Sequence, residues 1–323
     1  MAQDRSRREL LKLTVAAGAG AALTGPLGRM AGAQDAPPAA ASPETAAPPV
    51  PVETVALVEG DPVLAVRRAV ALVGGMEQHV KKGQTVVVKP NIGFPTPPDV
   101  GGAVSPAVVA EVARLCVDAG ASRVIVIDHP CRRPEVCLKM TGIEEACRTV
   151  PKTYVFATTD GKQFEDVAMP KGVALKKTAV LKDLRKAGTV VNLATAKSHG
   201  AAGVSFCLKN LMGAILAREP FHKEFDLHQA IADLATAIPC QLNIVDASRA
   251  MVTGGPAGPG EMAYPKSIVA GTNIVAVDAV AVTLAKWYGK TFAPRDIKHI
   301  ALAERHGLGP ADLGNIRVLR EKV

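Results

Sequence analysis

The chain has 323 residues, of which 48% are hydrophobic and 21% are charged, a composition typical of a folded globular protein and not of a disordered one. Lysine and arginine number 38 against 30 acidic residues, which gives a formal net charge of +8. Only 7 Phe, 3 Tyr and 1 Trp are available to stack on bases, and the basic residues form no dense block. The composition therefore disfavours nucleic acid as a partner and favours an anionic small molecule.

The first 33 residues have the pattern of a twin-arginine export signal. Ser6–Lys12 (SRRELLK) matches the expected motif except at its aromatic position, which holds Leu10. A weakly apolar run over 13–27 and the small residues Ala31–Ala33 complete a signal peptide with a cleavage site. That run is too short to span a membrane, and no later stretch reaches about 18 apolar residues. We expect the twin-arginine export machinery as a partner, a periplasmic or extracytoplasmic location, and no stable membrane span in the mature protein.

Two further segments follow the predicted signal. Residues 34–53 form a Pro/Ala-rich tract that has almost nothing to bury and is expected to act as a linker. Residues 54–323 are expected to form an α/β domain. The twin-arginine route carries folded proteins, and some of them are already loaded with a cofactor. A divalent or transition metal is therefore one expectation for this protein, and the absence of any cofactor is the other.

Strand-like and helix-like segments alternate from Val55 onward. The β-branched runs at 85–89 and 123–128 predict two buried parallel strands, joined by a helix that begins at Ser105-Pro106 and ends at Gly120. Further helices are predicted over 62–73, 181–187, 204–216, 227–238, 277–288 and 294–306, and further strands over 189–193 and 241–246. The pattern predicts a mostly parallel open sheet flanked by helices, with a smaller irregular inserted subdomain around 135–185.

Polar residues follow four of the predicted strands. They are Lys89 and Asn91, then Asp128 and His129, then Lys197 and His199, and last Asp246. In open parallel sheets, ligands bind beyond the carboxyl ends of the strands, which lie at one edge. We therefore expect these side chains to converge on a single polar site.

Several of these residues also belong to motifs of a known family. The motifs are Gly60-Asp61-Pro62, Val86–Asn91 (VVVKPN), Ser105-Pro106, Ala119-Gly120-Ala121, Lys197–Gly200 (KSHG) and Cys207–Gly213 (CLKNLMG). Over about residues 57–290 the chain resembles the domain-of-unknown-function family 362, which implies no established activity. Some members resemble iron-sulfur proteins because they carry an added ferredoxin-like segment with Cys-x-x-Cys-x-x-Cys spacing. This chain has no such segment, so an iron-sulfur cluster is disfavoured.

The lysines and amides suggest how the site would bind its ligand. Lys89, Lys197 and Lys209 supply positive charge, and Asn91 and Asn210 add neutral donors and acceptors. This mixture suits phosphate or carboxylate groups. An ordinary solvated lysine and a local helix cap are the alternative interpretation of Lys209 and Asn210.

Candidate catalytic groups are Lys197, His199 and Asp246. His199 has the ordinary pKa of a general acid or base and lies in a Gly-containing segment, and its imidazole could equally bind a metal. Asp278 lies in an apolar segment, where an unpaired charge would be costly. It therefore needs a lysine or a metal as partner, or it serves as a helix cap.

The segment from Asp128 through His129 to Cys131, with Cys137 nearby, offers carboxylate, imidazole and thiolate ligands. A zinc-like metal bound by Asp128, His129, Cys131 and Asp278 is one interpretation. A Cys131–Cys137 disulfide formed after export is another, and two free thiols are the third.

The sequence contains no phosphate-binding P-loop, no G-x-S-x-G nucleophile motif and no H-E-x-x-H zinc motif. The Gly/Pro-rich segment 254–260 is interpreted as a loop bordering the cleft. The favoured function is an exported enzyme whose Lys/His/Asp-lined site takes an anionic small molecule or a metal-bound cofactor. The alternatives are a periplasmic protein that binds or delivers a metal or anion without catalysis, and, less favoured, an iron-sulfur electron carrier.

Overall fold

The computed structural model describes residues 52–323. The predicted signal peptide and nearly all of the predicted linker lie outside the described residues. Within 52–323, no helix combines the length and the apolar character needed to cross a membrane.

The strands form one large sheet and one small one. They are β1 (Glu53–Glu59), β2 (Thr85–Lys89), β3 (Arg123–Asp128), β4 (Thr153–Ala157), β5 (Phe164–Ala168), β6 (Lys177–Leu181), β7 (Thr189–His199), β8 (Gly203–Ser205), β9 (Leu242–Met251), β10 (Met262–Ala263), β11 (Ser267–Gly271) and β12 (Ile316–Lys322). The large sheet has the order β12-β1-β11-β9-β7-β2-β3-β4, with β8 paired to β7 and β10 paired to β9. Along this order only β11 runs antiparallel to its neighbours, so the mostly parallel sheet predicted from the sequence is confirmed.

Helices cover both faces of the large sheet. They are α1 (Pro62–Leu72), α2 (Pro106–Asp118), α3 (Pro134–Thr141), α4 (Ile143–Cys147), α5 (Lys182–Lys186), α6 (Cys207–Asn210), α7 (Glu219–Lys223), α8 (Leu227–Ala235), α9 (Ile274–Val282) and α10 (Lys298–Arg305). Side chains alternate across each strand, so Val86 and Val88 pack in the core with α1 and α2 while Val87 packs in the core with α8 and α9. Burial of successive valines on opposite faces explains why β2 is a continuous apolar run.

The start of α1 follows the sequence signal closely. The Asp61 carboxylate accepts hydrogen bonds from the backbone N–H groups of Val63 and Leu64, both at 3.0 Å, and Pro62 occupies the first turn. The helix therefore begins where the Gly60-Asp61-Pro62 motif predicted.

The predicted helix over 204–216 is wrong at both ends, over 204–206 and over 215–216. Gly203–Ser205 forms β8, which pairs antiparallel with the end of β7. The helical part shrinks to the four residues of α6 and a single 3-10 turn over Leu211–Ala214. Strand pairing and burial on all sides of this segment override its helix-like spacing of apolar residues.

The region around 135–185, predicted as an irregular inserted subdomain, contains an edge strand of the large sheet and a separate two-stranded sheet. β4 pairs in parallel with β3 and forms one edge of the large sheet. β5 and β6 form the small antiparallel sheet, and their buried residues pack against the core on the α8 and α9 side.

Candidate functional site

A cavity of about 230 Å³ opens at the carboxyl edge of β2, β3 and β7, and we call it the strand-end cavity. It is lined by eight of the eleven predicted site residues, namely Asn91, Asp128, His129, Cys131, Lys197, His199, Lys209 and Asn210. The structure thus brings together side chains from β2, β3, β7 and α6, as expected for the edge where parallel strands end.

A buried ion pair lies beneath the cavity. Lys89 Nζ donates to Asp128 Oδ1 at 2.8 Å, to the Pro90 carbonyl at 2.9 Å and to Asn210 Oδ1 at 3.2 Å. The second carboxylate oxygen of Asp128 accepts from the backbone N–H of Ile92 at 2.7 Å. Burial lowers the pKa of Lys89, and the Asp128 carboxylate counteracts this shift. Three acceptors match the three N–H groups of an ammonium, so Lys89 is a charged structural element below the cavity and not a free ligand-binding group.

An amide network connects this pair to the second buried lysine. Lys197 Nζ donates to Asn91 Oδ1 at 2.8 Å, and Asn91 Nδ2 donates to Asn210 Oδ1 at 3.2 Å. Asn210 Nδ2 in turn donates to Asn192 Oδ1 at 2.8 Å. The amides therefore fix the position of Lys197 relative to Lys89, and Asn210 has a structural role here as well as a place on the cavity wall.

Lys197 is 2% exposed, yet its side chain has no carboxylate partner among residues 52–323. Besides Asn91, its amine donates to the Gly102 carbonyl at 2.7 Å, and it lies 5.5 Å from the centre of the Phe94 ring. Burial, followed by the positive charge of Lys209, lowers the pKa of Lys197 to about 7.

Two further cations face the cavity, one predicted and one missed by the sequence analysis. Lys209 has no hydrogen-bond partner within the described part of the chain, and burial lowers its pKa to about 8. The Arg218 guanidinium donates to the Met212 carbonyl at 2.8 Å, to the His129 carbonyl and to Cys131 Sγ at 3.3 Å. For the residues that the structure describes, Asp128 is the one carboxylate that lines the cavity, and it is already paired with Lys89.

His199 ends β7 with its ring in a defined tautomer. Its Nδ1 accepts from the backbone N–H groups of Ala201 at 3.3 Å and Ala202 at 3.2 Å, so the proton of the neutral ring lies on Nε2. Burial, and then the charges of Lys209 and Lys197, lower the pKa of His199 to about 2. The ring is therefore neutral near pH 7 and presents an N–H donor to the cavity.

Three of the predicted metal ligands, Asp128, His129 and Cys131, line the cavity, whereas Asp278 lies apart from them. Asp128 is engaged by Lys89, and Asp278 lies on α9 with its oxygens accepting from the backbone N–H groups of Cys207 at 2.8 Å and Leu208 at 2.9 Å. In the described range, no three His, Cys, Asp or Glu side chains are arranged to hold a metal ion. The interpretation of Asp278 as a helix cap is the one that the structure shows, because it satisfies the first N–H groups of α6.

Cys131 and Cys137 are both free thiols, the first exposed and the second buried. Burial raises the pKa of Cys137 to about 11. His129 donates from Nδ1 to the Ile215 carbonyl at 2.7 Å, with its ring edge-to-face against Phe164. Cys131 and Cys137 are therefore not joined as a disulfide in the structure.

Asp246 was predicted as a catalytic carboxylate, but it does not line the cavity. It is fully buried and accepts from the backbone N–H of Ser105 at 2.8 Å and from the Ser248 hydroxyl at 2.6 Å. The sequence placed the end of this strand at 246, but β9 continues to Met251, so Asp246 lies inside the sheet and not beyond the end of a strand. Asp246 anchors the start of α2 to β9.

Gly213 was quoted in a family motif but was not predicted as a site residue. A Cβ atom added there would lie 2.1 Å from Asp128 Oδ1 and 2.6 Å from Lys89 Nζ. Its carbonyl accepts from the backbone N–H of His129 at 2.9 Å. The glycine that ends the Cys207–Gly213 motif could therefore have been predicted as a site residue. Arg218 and His222 also line the cavity, but they lie outside every motif, so nothing in the sequence marked them as site residues.

The thylakoid-associated protein sll1697 of Synechocystis sp. is 26% identical over 263 residues, covering 78% of this chain and 77% of that protein. The lactate racemase apoprotein from Thermoanaerobacterium thermosaccharolyticum is similar in structure with a TM-score of 0.40 and 13% identity. That alignment covers 64% of this chain and 53% of the racemase chain, so the present chain spans about half of it. The model of the family described as "Domain of unknown function (DUF362)" matches residues 86–283, which is more than half of the chain. The protein therefore belongs to the DUF362 family.

Proposed function

We propose that the protein is an enzyme that binds an anionic small molecule in the strand-end cavity. The observation that carries this proposal is the excess of positive charge there. Lys197, Lys209 and Arg218 line the cavity, and none of them has a carboxylate partner within ion-pair distance among the described residues.

Cations placed this close together are costly to the folded protein. Lys209 and Lys197 each lower the pKa of a neighbouring group, and burial adds to the cost of the charged forms. Clusters of this kind occur where a ligand supplies the missing charge. A carboxylate or phosphate group between Lys209 and Arg218 would supply it.

Two side chains are suited to transfer a proton or to donate a hydrogen bond to the bound anion. Lys197, with a pKa of about 7, can hold or release a proton near neutral pH. His199, with Nδ1 occupied as an acceptor, offers Nε2–H as a donor to an oxygen of the ligand. The roles thus differ from the sequence-based expectation, in which His199 was the residue that moves a proton.

The binding experiment uses the full chain and small anions as probes. Titration calorimetry with sulfate, phosphate and oxalate should show saturable binding to the unmodified protein. Lys209→Met should weaken that binding at least about tenfold, since a charge-assisted contact contributes about 1.5–3 kcal/mol. The matched control is Lys286→Met at an exposed position away from the cavity, which should bind like the unmodified protein.

Two outcomes decide between the candidate functions. If the folded protein binds none of the three anions, the proposal is wrong. If it binds anions but turns over none of the anionic compounds offered to it, the binding or delivery protein is the better description.

The proposal includes export by the twin-arginine route, which is supported by the motif at Ser6–Lys12. Replacement of both Arg7 and Arg8 by lysine should keep the full chain in the cytoplasm and unprocessed. Fractionation of cells that express either form measures this, and equal periplasmic recovery of the two forms would contradict the export route.

A further inference from the structure

The two buried lysines lie on neighbouring strands, β2 and β7, but they have different sets of acceptors. Lys89 has three, one of which is the carboxylate of Asp128. Lys197 has two, Asn91 Oδ1 and the Gly102 carbonyl, and neither is charged. The first set matches an ammonium and the second matches a neutral amine.

The geometry around Lys197 leaves one side of its nitrogen free. A neutral amine has two N–H groups, and the two acceptors at 2.8 and 2.7 Å use both of them. The lone pair then points away from these acceptors, on a side chain that lines the strand-end cavity beside the Phe94 ring. Burial, followed by Lys209, disfavours an ammonium at this position, and Lys89 acts in the same direction, whereas Cys131 and Asp128 act in the opposite direction without reversing the shift. An unprotonated amine with a free lone pair is a nucleophile.

We propose that Lys197 forms an imine with the carbonyl group of an anionic aldehyde or 2-oxo acid. This inference rests on the proposed anion-binding function and names the substrate class of the same cavity. Lys209 and Arg218 would hold the carboxylate or phosphate of the substrate. A cavity of about 230 Å³ suits a compound of a few carbon atoms, since one water takes about 30 Å³ in the liquid.

The step balances without any oxidant or reductant. The lone pair of Lys197 attacks the carbonyl carbon, the C=O π electrons move to oxygen, and a proton passes from nitrogen to oxygen to give a carbinolamine. Loss of the second nitrogen proton and of the hydroxyl group, which leaves as water, gives the C=N bond. His199 is two residues away on the same face of β7, and its Nε2–H can donate to the carbonyl oxygen as negative charge develops there.

The test traps the imine in the full chain. The protein is incubated with glyoxylate near pH 7.5 in the presence of sodium cyanoborohydride, which reduces an imine to a stable secondary amine, and the modified lysines are located by peptide mass spectrometry. We expect Lys197 to be modified at least about tenfold faster than exposed Lys286 in the same molecule, because its amine is largely unprotonated at this pH.

Three comparisons make the result specific. Propanal has no anionic group and should modify Lys197 at least about tenfold more slowly than glyoxylate does. Excess sulfate should slow the glyoxylate reaction at Lys197 and leave Lys286 unchanged. Lys197→Arg, which keeps a long basic side chain at that position but cannot form an imine, should show no modified peptide containing residue 197.

The outcomes separate this inference from the proposed function. Modification at Lys209 instead of Lys197, or equal modification of all lysines, would overturn it. If sulfate binds and Lys209→Met weakens that binding but Lys197 stays unmodified, the imine is wrong and the anion-binding function stands. If sulfate does not bind and Lys197 is not modified, both proposals are wrong.

Discussion

Lys209, which we propose binds the anion, should lower the stability of the folded protein when no anion is bound. It faces the cavity with no hydrogen-bond partner in the described range, and Arg218 and Lys89 add to the burial that lowers its pKa. Lys209→Met keeps the length of the side chain and removes the charge. We predict that the free energy of unfolding rises by about 1 kcal/mol near pH 7, a typical gain when an uncompensated charge is replaced by an apolar side chain.

Urea unfolding of the unmodified protein and the variant measures this gain. The matched control is Lys286→Met, an exposed lysine for which a change within about 0.5 kcal/mol is expected. A loss of stability in Lys209→Met would show that the charge is not a cost in the folded state.

The residues of the site were predictable where the strand signals were clear. Lys89 and Asp128 close two uninterrupted β-branched runs, so their place at the carboxyl edge of the sheet followed from the sequence. Arg218 reaches the cavity from a segment between 3-10 and α-helical turns, where no periodicity marks a site. Asp278 was placed with the metal ligands because its apolar surroundings require a partner, and the partner proved to be backbone N–H groups of α6.

At the level of elements, β2 and β3 were predicted with the bounds that the structure shows. β7 extends beyond the predicted 189–193. The prediction stopped too early because the second half of the strand contains the polar residues Thr195, Lys197 and Ser198, which are nevertheless buried. β12 was missed because it is an edge strand with charged residues along its length. An apolar β-branched run identified β2 and β3, but the sequence analysis did not identify β11, although all five of its residues are buried.

The 3-10 turn over Leu211–Ala214 brings the chain against the Lys89–Asp128 pair. A Cβ atom at its third position, Gly213, would overlap Asp128 Oδ1 and Lys89 Nζ, so any larger residue there would displace this buried pair. We predict that Gly213→Ala destabilises the fold by about 1–3 kcal/mol, the usual cost of overpacking. It should also weaken sulfate binding, since displacement of Lys89 disturbs the amide network that positions Lys197.

Gly200→Ala is the matched control for this prediction. An added Cβ atom at Gly200 meets no atom within 4 Å, although the residue follows His199 directly. Urea unfolding should show a change within about 0.5 kcal/mol for Gly200→Ala. Equal stability of the two variants would contradict the assigned packing of the 3-10 turn.

Across the whole molecule, buried ionisable groups give stability a dependence on pH. Lys197 and Lys209 have pKa values of about 7 and 8 in the folded state against about 10.4 in an unfolded chain. Between these values the unfolded state binds more protons, so both lysines make stability rise with pH above about 7. His199 and His299, with pKa values lowered to about 2 and 3 by burial, act in the same direction as pH rises towards 6.5.

Other buried groups act in the opposite direction. Asp278, whose pKa burial raises to about 7, removes stability as pH rises from about 4 to about 7. Buried thiols keep their protons in the folded state while unfolded thiols ionise near 8.5, so each removes stability above that pH. Burial raises the pKa of five of them, namely Cys116, Cys137, Cys147, Cys207 and Cys240.

Burial also lowers the pKa of Lys89, so three lysines act in the first direction and five thiols in the second. Because the thiols outnumber the lysines, we predict that the free energy of unfolding is greatest near pH 8 and falls above about pH 9. Each thiol contributes a slope of up to about 1.4 kcal/mol per pH unit. Urea unfolding between pH 6 and pH 10 with a reducing agent measures the profile. Cys116→Ala, which removes one fully buried thiol, should make the decline between pH 9 and pH 10 shallower by up to that amount. A stability that keeps rising to pH 10 would show that the lysines outweigh the thiols.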